Sequence, residues 1–162
     1  MNKRIGDAGE ILAAKLLRDK GYNVEMIGGN YPVIDLIVRG QNEFRVSVKT
    51  SNMKHHVRLG RDTSLDQLRD DDFVFAFLPI EPDQEIGFSD GEYRVLIIPG
   101  KMVREDALAV HHAYLGSKSK SGVTRTGSAG VMVKGYSRKP IHMETWAKWM
   151  KFEARWELLP AA

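Results

Sequence analysis

Residues 33–50 read VIDLIVRGQNEFRVSVKT. Two runs rich in Val, Ile, Leu and Phe flank Gly40, Gln41 and Asn42, a pattern that predicts an antiparallel hairpin of two half-buried strands. Each run nevertheless carries a charge among its apolar residues, Asp35 in the first and Lys49 in the second. An ionised group in such surroundings is costly unless it is paired, hydrogen-bonded or bound to a cation. Side chains alternate across a strand, so Arg45, Ser47 and Lys49 share one face while Phe44, Val46 and Val48 take the other. With the turn near Gln41 and Asn42, Asp35 falls opposite Ser47 to Lys49. The charged groups then converge at one end of a sheet.

Residues 4–20 have helical periodicity, with Ile5, Ala8, Leu12 and Leu16 on one stripe and Gly21 as the stop. Glu10 has Gly6, Ala13, Ala14 and Leu17 as its neighbours at helical spacing. That flank of small residues lets a helix sit close to a sheet, so the Glu10 carboxylate is expected along the sheet surface. Glu10, Asp35 and Lys49 could thus form one cluster. Two carboxylates and a lysine suit hydrolysis of a phosphodiester. Oxygen ligands select a hard cation such as Mg²⁺, and the cation polarises the phosphoryl oxygen and acidifies a bound water. A lysine holds that water or neutralises charge growing on phosphorus. The plainer alternative is an Asp35–Lys49 ion pair, with Glu10 an ordinary acid of the helix surface.

The ordered set GDAGEILAAKLLRDKGYNVEMIGG, PVIDLIV and RVSVKT, within residues 6–50, resembles the core of the PD-(D/E)XK nuclease superfamily. YRVLIIPGKMV, HHAYL and the terminal WELL extend the resemblance, more loosely, to a bacterial subgroup of PD-(D/E)XK endonuclease-like proteins. The resemblance implies a restriction-endonuclease-like α/β/α sandwich with a central mixed sheet, a single domain over residues 1–162. It implies Glu10, Asp35 and Lys49 as catalytic residues. It also implies Mg²⁺ or Mn²⁺ on Glu10, Asp35, the Val48 main-chain carbonyl and, weakly, the Ser47 hydroxyl. Ser47 is a departure, because the family carries Glu, Asp or often Gln there and a serine removes one negative charge. Glu10 could make up the missing carboxylate. Glu25 and Glu43 are nominal substitutes, but Glu43 lies four residues along the strand, about 13 Å away.

Elsewhere, a short strand is predicted at Tyr22–Ile27, an irregular basic stretch at 51–63, and a helix at Ser64–Asp70 capped by Thr63 or Ser64. FVFAFLP (73–79) and YRVLIIP (93–99) read as paired strands, followed by helices at about 101–114 and 142–153. Tyr114, Trp146, Trp149 and Trp156 read as core packing. The adjacent pairs His55–His56 and His111–His112 diverge on any regular backbone and make poor chelates, which leaves phosphate contact or plain surface. Thr50 and Ser51 either bond a phosphate or end the strand. Gln67 reads as solvent-facing.

Charge is unevenly distributed. The 162 residues carry a net charge of +3, yet residues 101–162 alone hold 11 Lys/Arg against 5 Asp/Glu. No acid occurs between Ala107 and Met143, where Lys118, Lys120, Arg125, Lys134, Arg138 and Lys139 alternate with Gly, Ser and Thr. A basic, Gly/Ser-rich arm at about 116–139 reads as a surface for a polyanion, DNA first. Lys54, His56 and Arg58, just after the Lys49 strand, are a second candidate DNA contact. The absence of cysteine excludes disulfides, thiolate metal sites and cysteine nucleophiles, and fits a cytoplasmic location. No secretory signal or membrane-spanning run is read in the sequence.

The expected protein is a metal-dependent DNA endonuclease, resolvase-like or restriction-like, with DNA as partner, no membrane, and a homodimer left open. Two rivals stand beside it: a DNA-binding module of the same fold that has lost catalysis, and a protein–protein adaptor whose basic arm orders on a partner.

Overall fold

The computed structural model describes residues 3–28, 31, 33–117, 121–123 and 130–162. In chain order the elements are α1 (Lys3–Asp19), β1 (Asn23–Met26), β2 (Leu36–Arg39), β3 (Glu43–Thr50), β4 (His56–Arg58), α2 (Asp62–Leu65), β5 (Phe73–Pro79), β6 (Tyr93–Pro99), α3 (Gly100–Leu115), β7 (Met132–Lys134) and α4 (Pro140–Met150). A single 3-10 turn, Trp156–Leu158, follows. Five strands form one mixed sheet in the order β1-β2-β3-β5-β6, in which β3 and β5 are parallel and every other pair is antiparallel. The β2–β3 hairpin pairs Leu36 with Val46 and Val38 with Phe44, the register that the alternation of residues 33–50 predicts.

Alternation also sorts the two cores. On one face, α1 lays Leu12, Ala13, Ala14 and Leu17 over Leu36, Val38, Phe44, Val46, Val48, Phe75 and Phe77. On the other, Val74, Ala76, Leu78, Leu96 and Ile98 meet Val103, Ala107 and Val110 of α3 and Trp146 and Trp149 of α4. The fold is therefore an α/β/α sandwich around a central mixed sheet. Trp146 and Trp149 are buried core residues, and Trp149 anchors its Nε1–H on Asp106 at 2.9 Å. Among the described residues no helix is long and apolar enough to cross a membrane.

Several local expectations are corrected. The stretch 51–63 is not irregular throughout, because His56–Arg58 forms β4 and pairs with β7 as a two-stranded ribbon. Each of these strands has three residues and buries one valine, Val57 or Val133, too short a pattern to register as alternation. The same pairing removes Lys134 from the supposed arm and puts it on a strand. Helix α2 starts at Asp62 and ends at Leu65, earlier and shorter than Ser64–Asp70, and Arg61 precedes it without a side-chain cap. Helix α4 begins at Pro140, before the expected 142, because proline is pre-shaped for the first helical turn. His55 is not a surface residue. It is buried, hydrogen-bonded at 2.9 Å to the Pro79 carbonyl and stacked on Trp146.

One ion pair braces the sheet beneath the site. Arg45, on the Ser47 and Lys49 face of β3, donates to both oxygens of the buried Asp72, at 2.8 and 2.5 Å, and Asp72 also accepts the Arg69 N–H. Removing one partner of such a pair strands the other charge in a poorly hydrated place. Asp72→Ala is therefore expected to cost about 3–5 kcal/mol of unfolding free energy in urea titrations. A loss below about 1 kcal/mol would show that Arg45 regains water freely.

Candidate active site

Helix α1 runs over β3 with its N-terminal half above the strand's C-terminal end. The contact there sets the helix backbone on the Thr50 side chain. A Cβ placed on Gly9 would overlap the Thr50 Oγ1 atom, so glycine there lets α1 lie this close without the Thr50 side chain having to move. Its neighbour Glu10 is thereby delivered to the start of β2. One step beyond the Leu36–Val46 pair, Asp35 faces Ser47, and its N–H donates to the Val46 carbonyl at 2.9 Å. Its side chain turns back on the strand, where Oδ2 accepts the Val48 N–H at 2.6 Å. The N–H and C=O of a strand residue project to the same side, so the Val48 carbonyl is directed toward the same edge.

The carboxyls of Glu10 and Asp35 lie within hydrogen-bonding reach of each other. Both titrate above their ordinary values. For Glu10 the causes are burial, then the nearby charge of Asp35, then Asp7, against a smaller opposing pull from Lys49. For Asp35 burial dominates, opposed by the Val48 N–H and by Lys49. Lys49 acts on both carboxyls through space but forms a salt bridge with neither. Glu10 and Asp35 lie together, with Lys49 near enough to act on both.

Ser47 beside them is fully buried, and its hydroxyl has no hydrogen-bond partner among the described residues. Such a hydroxyl normally finds one. Glu25 and Glu43 are both bound to Arg39, at 3.0 and 2.9 Å, and take no part. Thr50 packs under Gly9, while the Ser51 hydroxyl donates to the Lys54 carbonyl at 2.6 Å, so this pair ends the strand. Asp7, three residues before Glu10 on the same helix, was not singled out in the sequence. Its i, i+3 spacing is the signal that would have found it.

The described residues hold no group of three or more His, Asp or Glu side chains suited to a metal. The donors present fit a different kind of site. Mg²⁺ characteristically takes one or two carboxylates and fills its shell with water and substrate phosphate. Glu10 and Asp35, held together at a cost to their ionisation, supply that number. The Val48 carbonyl and the unpartnered Ser47 hydroxyl are neutral oxygens at the same edge.

A basic surface adjoins the cluster. Strand β4 pairs His56 with Lys134 and Arg58 with Met132, so His56, Arg58 and Lys134 share the ribbon face opposite the buried valines. Burial, then Arg58, Lys54 and Lys134, push the His56 imidazole down to about 4. Lys54 sits over the Tyr136 ring at 5.1 Å, and His56 meets the same ring edge-on. Tyr136 is an aromatic member of this surface that the sequence reading did not pick out. The His56 ring nitrogen is 3.3 Å from the Ser51 hydroxyl, two residues beyond Lys49, which joins the basic face to the carboxylate end of β3. Arg138 and Lys139 are exposed just before α4. Lys118, Lys120 and Arg125 lie outside the described residues.

No protein-family model matches this chain, and no curated protein matches it. Among solved structures it is similar to Hjc, a Holliday junction resolvase from the archaeal hyperthermophile Archaeoglobus fulgidus. The two are 18% identical, with 60% of this chain and 74% of that chain covered and a TM-score of 0.44. The site described above rests on the chain's own geometry.

Two outcomes follow from that geometry. Gly9→Ala is expected to destabilise the protein by about 1–3 kcal/mol despite the better helix propensity of alanine, because the added methyl overpacks the α1–β3 contact. Thr50→Ala in the same chain should restore part of the loss; additive losses in chemical denaturation would mean that the two residues do not touch. The second concerns pH. A folded-state carboxyl titrating above its unfolded value contributes stability that is complete below the unfolded value and lost as pH rises through the folded one. Glu10→Gln removes that loss. Without added metal, its melting temperature relative to wild type should climb from pH 4 toward neutrality and then level. A difference independent of pH would remove the carboxyl crowding.

Proposed function

We propose that this chain is a PD-(D/E)XK-type nuclease that hydrolyses DNA phosphodiester bonds with Mg²⁺ or Mn²⁺. The observation that carries the proposal is the convergence of Glu10 and Asp35, with Lys49 coupled to both, at the sheet edge beside a basic ribbon. In this reading Glu10, Asp35 and the Val48 carbonyl hold the cation, with Ser47 as a weak neutral ligand. When bound, the cation polarises the scissile phosphoryl group and acidifies a water. Asp35 is kept in place by the Val48 N–H. Lys49 neutralises charge that develops on the phosphoryl oxygens, which a lysine held clear of salt bridges does without breaking one. Lys54, His56, Arg58, Lys134, Arg138 and Lys139 take the DNA backbone, and Lys118, Lys120 and Arg125 belong to the same proposal. So do a resolvase-like or restriction-like mode of cutting, kinship with the bacterial subgroup, action in the cytoplasm, and a homodimer as an open assembly state.

Ser47 favours a second reading. A site with two carboxylates and a neutral serine, where a third acid is usual, fits a protein that has kept DNA binding and lost cleavage. The two readings separate in a plasmid-nicking assay with Mg²⁺, Mn²⁺ or chelator. The active reading expects metal-dependent nicking by wild type and a loss of about a hundredfold or more in Asp35→Asn and in Lys49→Ala. Nicking and metal binding gained only in Ser47→Glu would mark a decayed nuclease. Equal nicking by wild type and Asp35→Asn would discard the metal mechanism.

A further inference from the structure

A cavity, remote in sequence from the carboxylates, lies between the C-terminal half of α3, strand β7 and the first turn of α4. Its volume is about 250 Å³, near the lower end for small-ligand sites. Its walls divide by chemistry. Val110, Met132 and Ile141 supply apolar surface, and the near-parallel rings of His111 and Tyr114, inclined at 17°, form one side. The other side is cationic. Lys134 and Lys139 both line the cavity, and among the described residues no acid does.

His142 is the polar feature that these lysines surround. It is buried, and its Nδ1 accepts the Lys134 N–H at 3.0 Å. Accepting at Nδ1 leaves the neutral ring's proton on Nε2 as a donor. Burial and the two lysine charges hold the imidazole below its ordinary value. His111, 3% exposed and also lining the cavity, has no partner for its own Nε2 among the described residues. The first turn of α4, at Ile141 and His142, adds the outward N–H groups of a helix start. Cations and donors without a carboxylate on one side, with apolar and aromatic surface on the other, suit an anionic phosphate joined to a planar ring.

We propose that this cavity binds one nucleoside monophosphate unit, with the phosphate on Lys134, Lys139 and His142 and the base against the His111–Tyr114 side. The unit comes either from a free nucleotide or from a nucleotide turned out of bound DNA, because both present the same chemistry. Lys134 belongs to the ribbon face that carries His56 and Arg58, so a strand lying on that face passes the cavity mouth. The DNA source rests on the nuclease or DNA-binding reading above; the free-nucleotide source does not.

The test titrates the full chain with 2′-deoxyadenosine 5′-monophosphate and with inorganic phosphate in a calorimeter. It also follows duplexes carrying 2-aminopurine by fluorescence, with DNA affinity measured separately by anisotropy. Lys139→Gln and Ala113→Phe change exposed positions at the cavity, one removing a charge and the other filling space, and unchanged melting temperatures verify that both fold. The expected result is nucleotide binding about tenfold or more tighter than phosphate, weakened about tenfold in each variant. If the unit comes from DNA, wild type brightens 2-aminopurine and Ala113→Phe does not. If 2-aminopurine stays dark while the nucleotide binds, the source is free nucleotide. Absence of nucleotide binding together with dark 2-aminopurine in wild type overturns the proposal, as do variants that respond like wild type. Loss of DNA affinity in wild type alone counts against the proposed function and leaves the nucleotide titration to judge the cavity.

Discussion

Helix α1 can bring Glu10 to Asp35 because Gly9 lets its backbone rest on Thr50 at the end of β3. Everything else at the site depends on that approach. The helix and the hairpin come from separate parts of the chain, and α1 belongs to the core on the Phe44, Val46 and Val48 face of the sheet. Asp35 and Lys49 belong to strands whose alternation would aim them at the opposite face. The cluster therefore forms at a sheet edge, where β2 has just begun and β3 is about to end. A side chain at Gly9 would press on the Thr50 side chain at this contact.

Charge is handled differently on the two parts of this surface. Arg45 and Asp72, two residues along β3 from Ser47, neutralise each other through two hydrogen bonds. Glu10 and Asp35 lie together in a partly dry place; burial pushes both carboxyls upward, and at Glu10 the charge of Asp35 adds to it. A sequence selected for stability alone would separate or neutralise them, as Arg39 does for Glu25 and Glu43 on the neighbouring strands. Neighbouring carboxyls kept in a partly dry place are a common sign of a functional site. The unpartnered Ser47 hydroxyl adds a second unsatisfied group at the same edge.

Much of this was legible because residues 33–50 alternate cleanly. Strand period fixed which face each residue takes and placed Asp35 opposite the Ser47–Lys49 stretch, and the helical stripe of α1 with its small-residue flank pointed Glu10 toward the sheet. The sequence reading missed what depends on short or distant contacts. A three-residue ribbon with one buried valine per strand has no periodic signal, so β4 and β7 were read as loop. Helix α2 was misplaced because the residues after Leu65 turn toward Asp72 instead of extending the helix. His55 looked like surface because its burial comes from Trp146, ninety-one residues away in the chain. The α3–α4–β7 cavity has no linear motif at all, since its walls come from three separated segments.

The central claim is that Glu10 and Asp35 form one cation site. Titration of Mn²⁺ followed by electron paramagnetic resonance, on wild type, Glu10→Gln and Asp35→Asn, tests it most directly. One bound ion in wild type, weakened in both variants by about tenfold or more, is the predicted result. Wild-type Mn²⁺ affinity in either variant would contradict it.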